Sequence, residues 1–379
     1  MTRTTGDMPD KEDKIWMQRA LSLAGKGRGY TSPNPLVGCV IVSDAGNIIG
    51  EGYHKKYGKA HAEVNAVKSV KDNSTLREAT VYVTLEPCAH QGKTPSCAKM
   101  LAGLPLKRVV IAMKDPFANV NGKGIKILKK AGFRVDVGLL EKEARELNEA
   151  WLHYVQFSRP FVTLKIAQSA DGYIAAPNGD SKWISSNDSR TEVHRWRSRQ
   201  DAVLVGRNTA MHDNPSLTVR MVEGRQPWRV VIDGPLELPA NLNLFSDQHE
   251  EKTIVVTHNK TKADEVADPM LKMLQSNYFR GKVMVVEEES GHTNLDQMME
   301  SLAGEGITSL LVEGGRELST ALLRQNLVDR LQLFIAPKLL GGGTKSVQGL
   351  GMNRMEDLVP FRTFTWSRVG PDMLLTADL

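Results

Sequence analysis

Three cysteines in 379 residues are too few, and odd in number, for a disulfide scaffold, which points to a reducing, cytoplasmic compartment. No apolar run approaches the ~18 residues a transmembrane helix needs, so no membrane partner is expected. The polar opening MTRTTGDMPDKEDK lacks the apolar core of a secretion signal. Low-complexity tracts and internal repeats are missing as well, and 41% hydrophobic with 25% charged residues is the composition of a soluble globular protein. Neither sign of charge dominates: 49 basic and 44 acidic residues leave +5, and short basic runs such as Lys129-Lys130 and Arg195–Arg199 are scattered. Scattered charge reads as solvated surface plus anion-binding side chains rather than a nucleic-acid stripe.

The length exceeds one ordinary core and predicts two domains. In the first half, apolar spacing predicts a helix over 11–25, ended by Gly25, Gly27 and Gly29, then a strand over 36–42. A helix after His61, a strand over 81–85, a helix after Cys97, a strand over 108–113 and a helix near 124–131 follow. Residues 139–157 read as one helix, stopped by Pro160, and the domain boundary falls at 157–160. That divides the chain into 1–157 and 158–379. The second part has its own strands at 162–166, 201–206, 229–233, 253–257, 282–286, 309–313 and 331–336. Both parts are therefore α/β, with sheets covered by helices.

What the first part does contain is a constellation. His61 and Glu63 stand two apart at a predicted helix start, and TLEPCAHQGKTPSC places Cys88 and Cys97 nine positions apart. Each feature alone is common. Together, in this order and with Pro87 before the first cysteine, they read as a zinc site of one imidazole and two thiolates. Three protein ligands leave the fourth tetrahedral position open, the pattern of a catalytic rather than a structural zinc. Glu63, beside the metal but not on it, suits proton transfer to a ring nitrogen and a leaving amine. Helix starts at His61 and Cys97 would favour thiolate over thiol. Cys39, inside the apolar run PLVGCVIV, reads as a core residue.

H-A-E followed by P-C and a later cysteine resembles the zinc-dependent nucleoside and base deaminase superfamily. The C-x8-C step departs from the usual C-x-x-C. With TSPNPLVGCVIV, GEGYHKKYGKAHAE and KDPFANVNGKG, the first part is similar to the deaminase domain of the bifunctional riboflavin-biosynthesis family. The resemblance implies a cytidine-deaminase-like three-layer α/β/α domain acting on a diaminopyrimidinone that carries a ribosylamino 5′-phosphate. It further implies that Asn34, His54, His90 and Lys93 contact the base or the ribose phosphate. The spacer between the cysteines then doubles as a substrate loop, with Lys93 a point charge for phosphate.

The second part has no G-x-G-x-x-G after a strand, so an ordinary Rossmann site is not supported. It has SLLVEGGRELSTALL, a strand, two glycines and a helix, a turn able to face a pyrophosphate with backbone N–H groups. With KIAQSADGYIA, SKWIS, VLVGRNTAMHDNPSLTVR, RVVIDG and APKLLGGGTKS it resembles the reductase domain of the same family. That implies a dihydrofolate-reductase-like α/β fold, NADPH as cofactor and reduction of the ribosyl group to ribityl. By the same resemblance Ser181, Arg197, Leu217, Arg220 and Glu313 line the substrate. Ala167, Trp183, Thr209, Asp213, Gly234, Gly315, Arg316, Glu317, Leu318, Ser319, Thr320 and Ala321 meet the cofactor. Lys165 and Asp171 stand as proton-handling groups or a structural ion pair. Ala170 replaces the leucine of the family's S-L-D-G, a change of packing volume. The implied partners are phosphorylated pyrimidines, with no nucleic acid, and a second or further copies of the chain as a homodimer or homotetramer. The alternative reading is a nucleic-acid-editing zinc deaminase with an accessory domain, and a non-enzymatic zinc-stabilised module is a further rival.

Overall fold

The computed structural model describes residues 11–89, 96–117, 121–258, 280–352, 354–358 and 360–379. Two compact units emerge, Met1–Phe157 and Ser158–Leu379. No helix among the described residues is long and apolar enough to cross a membrane.

The first unit is built on strands β1 (Gly38–Val42), β2 (Ile48–Tyr53), β3 (Thr80–Leu85), β4 (Arg108–Met113) and β5 (Arg134–Val137). They lie in the order β2-β1-β3-β4-β5. β1 is antiparallel to β2 and β3, and β3, β4 and β5 run parallel. Because side chains alternate across a strand, β1 serves two cores. Cys39 and Ile41 join Ala62, Ala66, Ala98 and Leu101 under α2 (Ala62–Ser69) and α3 (Cys97–Ala102). Val40 and Val42 join Met17, Ala20 and Trp151 on the opposite face, beneath α1 (Lys11–Gly25) and the C-terminal helices of the unit. The result is three layers, α/β/α. A helix, α4 (Lys123–Lys130), packs beside α3.

Two glycines seat the helix that carries His61 and Glu63. A Cβ on Gly52 would meet the Ala66 nitrogen at 2.3 Å, and one on Gly50 the Ala66 carbonyl oxygen at 2.6 Å. Only a bare backbone lets α2 lie this close on β2. The same glycines weaken the alternation of β2, which explains why the sequence reading passes over that strand.

The stretch expected as one helix over 139–157 is two, α5 (Glu141–Leu147) and α6 (Glu149–Phe157), divided at Asn148. The cause is a long-range demand on the Asn148 side chain. Its Oδ1 accepts from Leu36 N–H at 2.7 Å and its Nδ2 donates to the Leu36 carbonyl at 3.0 Å, in a buried setting. This amide satisfies both polar groups of a residue just ahead of β1, and local periodicity carries no trace of it.

The second unit has a nine-stranded sheet. Its strands are β6 (Phe161–Ser169), β8 (Ala202–Gly206), β9 (Trp228–Ile232), β10 (Thr253–His258), β11 (Lys282–Val286), β14 (Ser309–Val312), β15 (Arg330–Ala336), β17 (Thr363–Val369) and β18 (Asp372–Asp378). Four short strands pair outside it: β7 (Tyr173–Ala175) with β16 (Thr344–Lys345), and β12 (Glu288–Glu289) with β13 (His292–Thr293). The order is β11-β10-β9-β8-β14-β6-β15-β18-β17. From β11 to β15 all neighbours are parallel, and the antiparallel hairpin β17–β18 completes the sheet beyond β15. Helices cover both faces, α7 (Asn187–Arg199) and α8 (Arg207–Asp213) among them. In such a sheet the carboxyl ends of the parallel strands form one edge, where ligands bind.

Candidate functional site

In the first unit His61 is the N-cap residue of α2, Cys88 follows β3 by three positions, and Cys97 is the first residue of α3. Two helix starts and a strand end thus converge. The His61 Nδ1 stands 3.7 Å from the Cys88 Sγ and 3.4 Å from the Cys97 Sγ. A tetrahedral zinc with ordinary Zn–N and Zn–S bonds sets such donors about 3.6 Å apart. All three donor atoms lie within 4.8 Å of one another, so this donor set fits a zinc ion. The Cys97 N–H, at 3.3 Å, points at the Cys88 Sγ. Hydrogen bonding from Cys97 and His61 holds the Cys88 thiol down at about 4, while its Cys88 partner and burial push Cys97 well up.

Glu63 sits in the first turn of α2, 3% exposed, and burial pushes its carboxyl up to about 7. His54 and Asn34 adjoin the cluster. The His54 ring is 5.5 Å from that of His61, edge to face. Its Nδ1 lies 3.1 Å from the Ala60 carbonyl and its Nε2 3.1 Å from the Asn34 Nδ2. With a carbonyl on one nitrogen and an amide on the other, the neutral ring donates through Nδ1 and accepts through Nε2. Burial lowers its pKa, in keeping with that neutral form. His90 and Lys93 lie outside the described residues.

Sequence reading missed Glu86. Its buried carboxylate accepts the backbone N–H groups of Gly124 and Gly122 at 2.9 Å, Ile125 at 3.2 Å and Asp115 at 3.3 Å. It thereby ties the segment leading to Cys88 onto the start of α4. A glutamate two residues before a metal cysteine, in T-L-E-P-C, was the available signal.

In the second unit the expected residues gather at the carboxyl edge of β6, β8, β9 and β14. Arg197, on α7, forks onto Glu313, just past β14, with Nε and Nη2 at 2.6 and 2.9 Å from the two carboxylate oxygens. Its Nη1 donates to the Thr218 carbonyl at 3.0 Å. Burial raises the Glu313 carboxyl, yet Arg197 and Lys165 more than offset it, leaving the pKa below the ordinary value. Burial lowers the Lys165 amine, which feels Glu313, Arg197 and Asp213 but has no hydrogen-bond partner among the described residues. Arg220 is exposed, its Nη1 on the Thr218 Oγ1 at 2.8 Å. Leu217 is buried. The Ser181 hydroxyl donates to the Asp213 Oδ1 at 3.3 Å. Trp183 is 64% exposed, with the Arg190 guanidinium 4.3 Å over its ring. The Lys338 Nζ, not foreseen, holds this loop through the Trp183 and Ile184 carbonyls at 3.1 and 2.8 Å.

The candidate cofactor residues divide. Ala167 lies on β6, Thr209 on α8, and Gly234 two residues past β9. A Cβ on Gly315 would meet the Thr209 Oγ1 at 3.3 Å, so the turn is a cradle kept open by glycine. Gly315 caps the helix Arg316–Arg324. Leu318 packs into the core, Arg316 binds Gln348 and Glu317 binds Asn208. This leaves the backbone N–H groups at the helix start, a kind of site that suits anions, and the Ser319 Oγ, which is buried without a hydrogen-bond partner among the described residues. Asp171 is engaged elsewhere. Its carboxylate accepts from the Ser169 hydroxyl at 2.6 Å and from the Gly341 and Leu340 N–H groups at 2.7 and 3.1 Å, which holds its pKa down at about 2.

Comparison with known proteins matches each unit to a family model. Residues 10–113 match the cytidine and deoxycytidylate deaminase zinc-binding region, and residues 160–375 the RibD C-terminal domain. Riboflavin biosynthesis protein RibD of Aquifex aeolicus (strain VF5) is 41% identical over 365 residues, spanning 96% of this chain and 97% of its own. That of Escherichia coli (strain K12) is 37% identical over 378 residues, spanning 96% and 98%. Among solved structures, Acinetobacter baumannii RibD superimposes with a TM-score of 0.84 at 35% identity, covering 97% of this chain and 99% of that one. The diaminohydroxyphosphoribosylaminopyrimidine deaminase/5-amino-6-(5-phosphoribosylamino)uracil reductase of Thermotoga maritima gives 0.83 at 34% identity, covering 96% and 98%. Similarity running through both units favours the bifunctional reading over an editing deaminase with an accessory domain.

Proposed function

The chain belongs to the RibD family of bifunctional riboflavin-biosynthesis enzymes, zinc-dependent in its deaminase half and NADPH-dependent in its reductase half, and we propose how its side chains divide that work. The reading rests on one juxtaposition in each unit. In the first, a buried carboxylate stands beside a three-donor cluster. In the second, an Arg197–Glu313 fork and a buried amine meet a glycine cradle at one sheet edge.

His61, Cys88 and Cys97 hold the zinc, which when bound supplies Lewis-acid activation of water at neutral pH. Glu63 takes one proton from the attacking water and passes it to the ring nitrogen, then takes the second from the newly added hydroxyl and passes it to the departing amine. The carbon–nitrogen bond breaks, a carbonyl forms, and ammonia leaves. Asn34, oriented by His54, meets a polar edge of the substrate, and His90 and Lys93 meet its ribose phosphate. A high Glu63 pKa serves both directions of that proton transfer.

In the reductase half the cofactor, when bound, supplies hydride to the sugar carbon next to the amine. The ring carbon–oxygen bond opens and that oxygen takes a proton, for which the Lys165 amine is the donor. Arg197 holds Glu313 in place against the pyrimidine edge or a ribose hydroxyl, and Arg220 takes the phosphate. Ser181 and Leu217 complete the substrate side. Ala167, Trp183, Thr209, Asp213, Gly234 and the turn from Gly315 to Ala321 complete the cofactor side. Asp171 is an anchor for the 340–341 loop. A reducing, cytoplasmic setting suits cysteines kept as metal ligands.

One assay with two readouts tests the division: the diaminopyrimidine ribosylamino phosphate and NADPH are supplied, and ammonia release and NADPH loss are followed separately. Stripping zinc with a chelator is expected to abolish ammonia release and to leave NADPH oxidation intact when the deaminated intermediate is supplied instead. Loss of both activities on stripping, with the fold preserved, would refute the separate roles.

The edge strand β17 supports the homodimer or homotetramer reading. Its Phe364 and Trp366 are 61% and 51% exposed on a sheet edge that no strand among the described residues pairs, an arrangement that single chains avoid. Trp366→Glu is expected to shift the particle to a monomer in sedimentation, and a wild-type monomer would overturn this assignment.

A further inference from the structure

Between α8 and β9 runs the segment Ser216–Arg220, which contains Leu217 and Arg220 and belongs to no sheet. Its backbone polar groups still need partners. Side chains from elsewhere provide them. Arg229 Nη1 donates to the Ser216 carbonyl at 3.2 Å and Arg197 Nη1 to the Thr218 carbonyl at 3.0 Å. The Gln226 amide closes a ring on Val219, with Nε2 donating to the carbonyl at 2.9 Å and Oε1 accepting the N–H at 2.7 Å. His194 Nδ1 accepts the Arg220 N–H at 3.1 Å. Within this span Leu217 has φ +52°, a left-handed backbone unusual for a branched side chain. An arm of this shape persists only because its surroundings impose it.

Two of the four holders have other duties: Arg229 pairs with Asp247 in the core, and Arg197 with Glu313. His194 and Gln226 have none assigned. His194 stands three residues before Arg197 on α7, and so on the same face. It is 6% exposed, and burial together with the Arg197 and Arg220 cations holds its pKa down at about 4. At neutral pH the ring is uncharged and Nδ1 is free to accept.

We infer that His194 and Gln226 are positioning residues of the reductase half, which never meet the substrate but fix where Leu217 and Arg220 present themselves to it. The inference rests on the reading of Arg220 as a ligand for the substrate phosphate. Steady-state reductase kinetics on the deaminated, phosphorylated intermediate test it. His194→Leu is expected to raise the KM for that substrate about tenfold, with kcat and the KM for NADPH within about twofold, because a hydrogen bond that steers a binding group is lost. His194→Asn, whose Oδ1 takes the place of Nδ1, is expected to restore most of the wild-type KM. A loosened core would not be repaired by a smaller polar residue. Gln226→Leu, at a half-buried position, is expected to show the same split and stands in should the His194 variant fold poorly. Arg220→Ala separates inference from premise. An unchanged KM there removes both. A raised KM in Arg220→Ala beside unchanged values in His194→Leu and Gln226→Leu overturns the inference alone. A His194→Leu loss shared by kcat and both KM values, without rescue by Asn, overturns it too.

Discussion

Glu63→Gln is expected to slow ammonia release about a thousandfold while zinc content and NADPH oxidation of supplied intermediate stay at wild-type levels. The substitution keeps the shape of a side chain that is 3% exposed, so packing on α2 is preserved. It also removes the one property the chemistry needs, a carboxyl that alternates between holding and releasing a proton. Burial already pushes that carboxyl up to about 7, so the charged form is disfavoured there and a neutral amide costs the fold little. Metal analysis should therefore return one zinc per chain, with a Tm at or above the wild-type value. Ammonia release at the wild-type rate would assign the proton transfer to another group. Loss of zinc together with activity would instead make Glu63 part of the metal's holding structure.

How much of this was legible without coordinates differs between the two sites. His61, Glu63, Cys88 and Cys97 lie in two short runs, and each run opens a helix, so sequence order alone brings the donors close. Glu86 was only faintly legible: T-L-E-P-C sets it two residues before a metal cysteine, but its partners are backbone N–H groups 29 to 39 residues away, which no side-chain identity announces. Asn148 was hidden likewise, since a helical periodicity continues through it and only Leu36, 112 residues away, breaks the helix. In the reductase half the strands were visible as apolar runs, but their spatial order was not. Arg197 and Glu313 are 116 positions apart and meet only because β14 lies between β8 and β6. The hairpin β17–β18 escaped notice because β17 is exposed along nearly its whole length and so lacks the burial rhythm of an interior strand.

Arg197→Met is expected to cost the reductase unit about 3 kcal/mol and its activity about a hundredfold in kcat/KM, two effects with separable causes. Arg197 and Glu313 each keep only 11% of their side chains exposed, so the substitution leaves a carboxylate buried without its fork. Lys165 offsets part of that charge, which places the cost at the lower end for a broken buried pair. A second substitution distinguishes charge burial from function. In Arg197→Met/Glu313→Leu no charge is left stranded beyond the Lys165 amine, and calorimetry is expected to show much of the lost Tm restored. NADPH oxidation should stay as low as in the single variant or fall further, because the carboxylate that meets the substrate is gone as well. Recovery of activity along with Tm would mean that the pair serves stability alone and that substrate recognition lies elsewhere on the sheet edge. Ammonia release, carried by the other unit, should be unchanged in both variants, and the Tm of the reductase unit itself reports whether that unit remains folded.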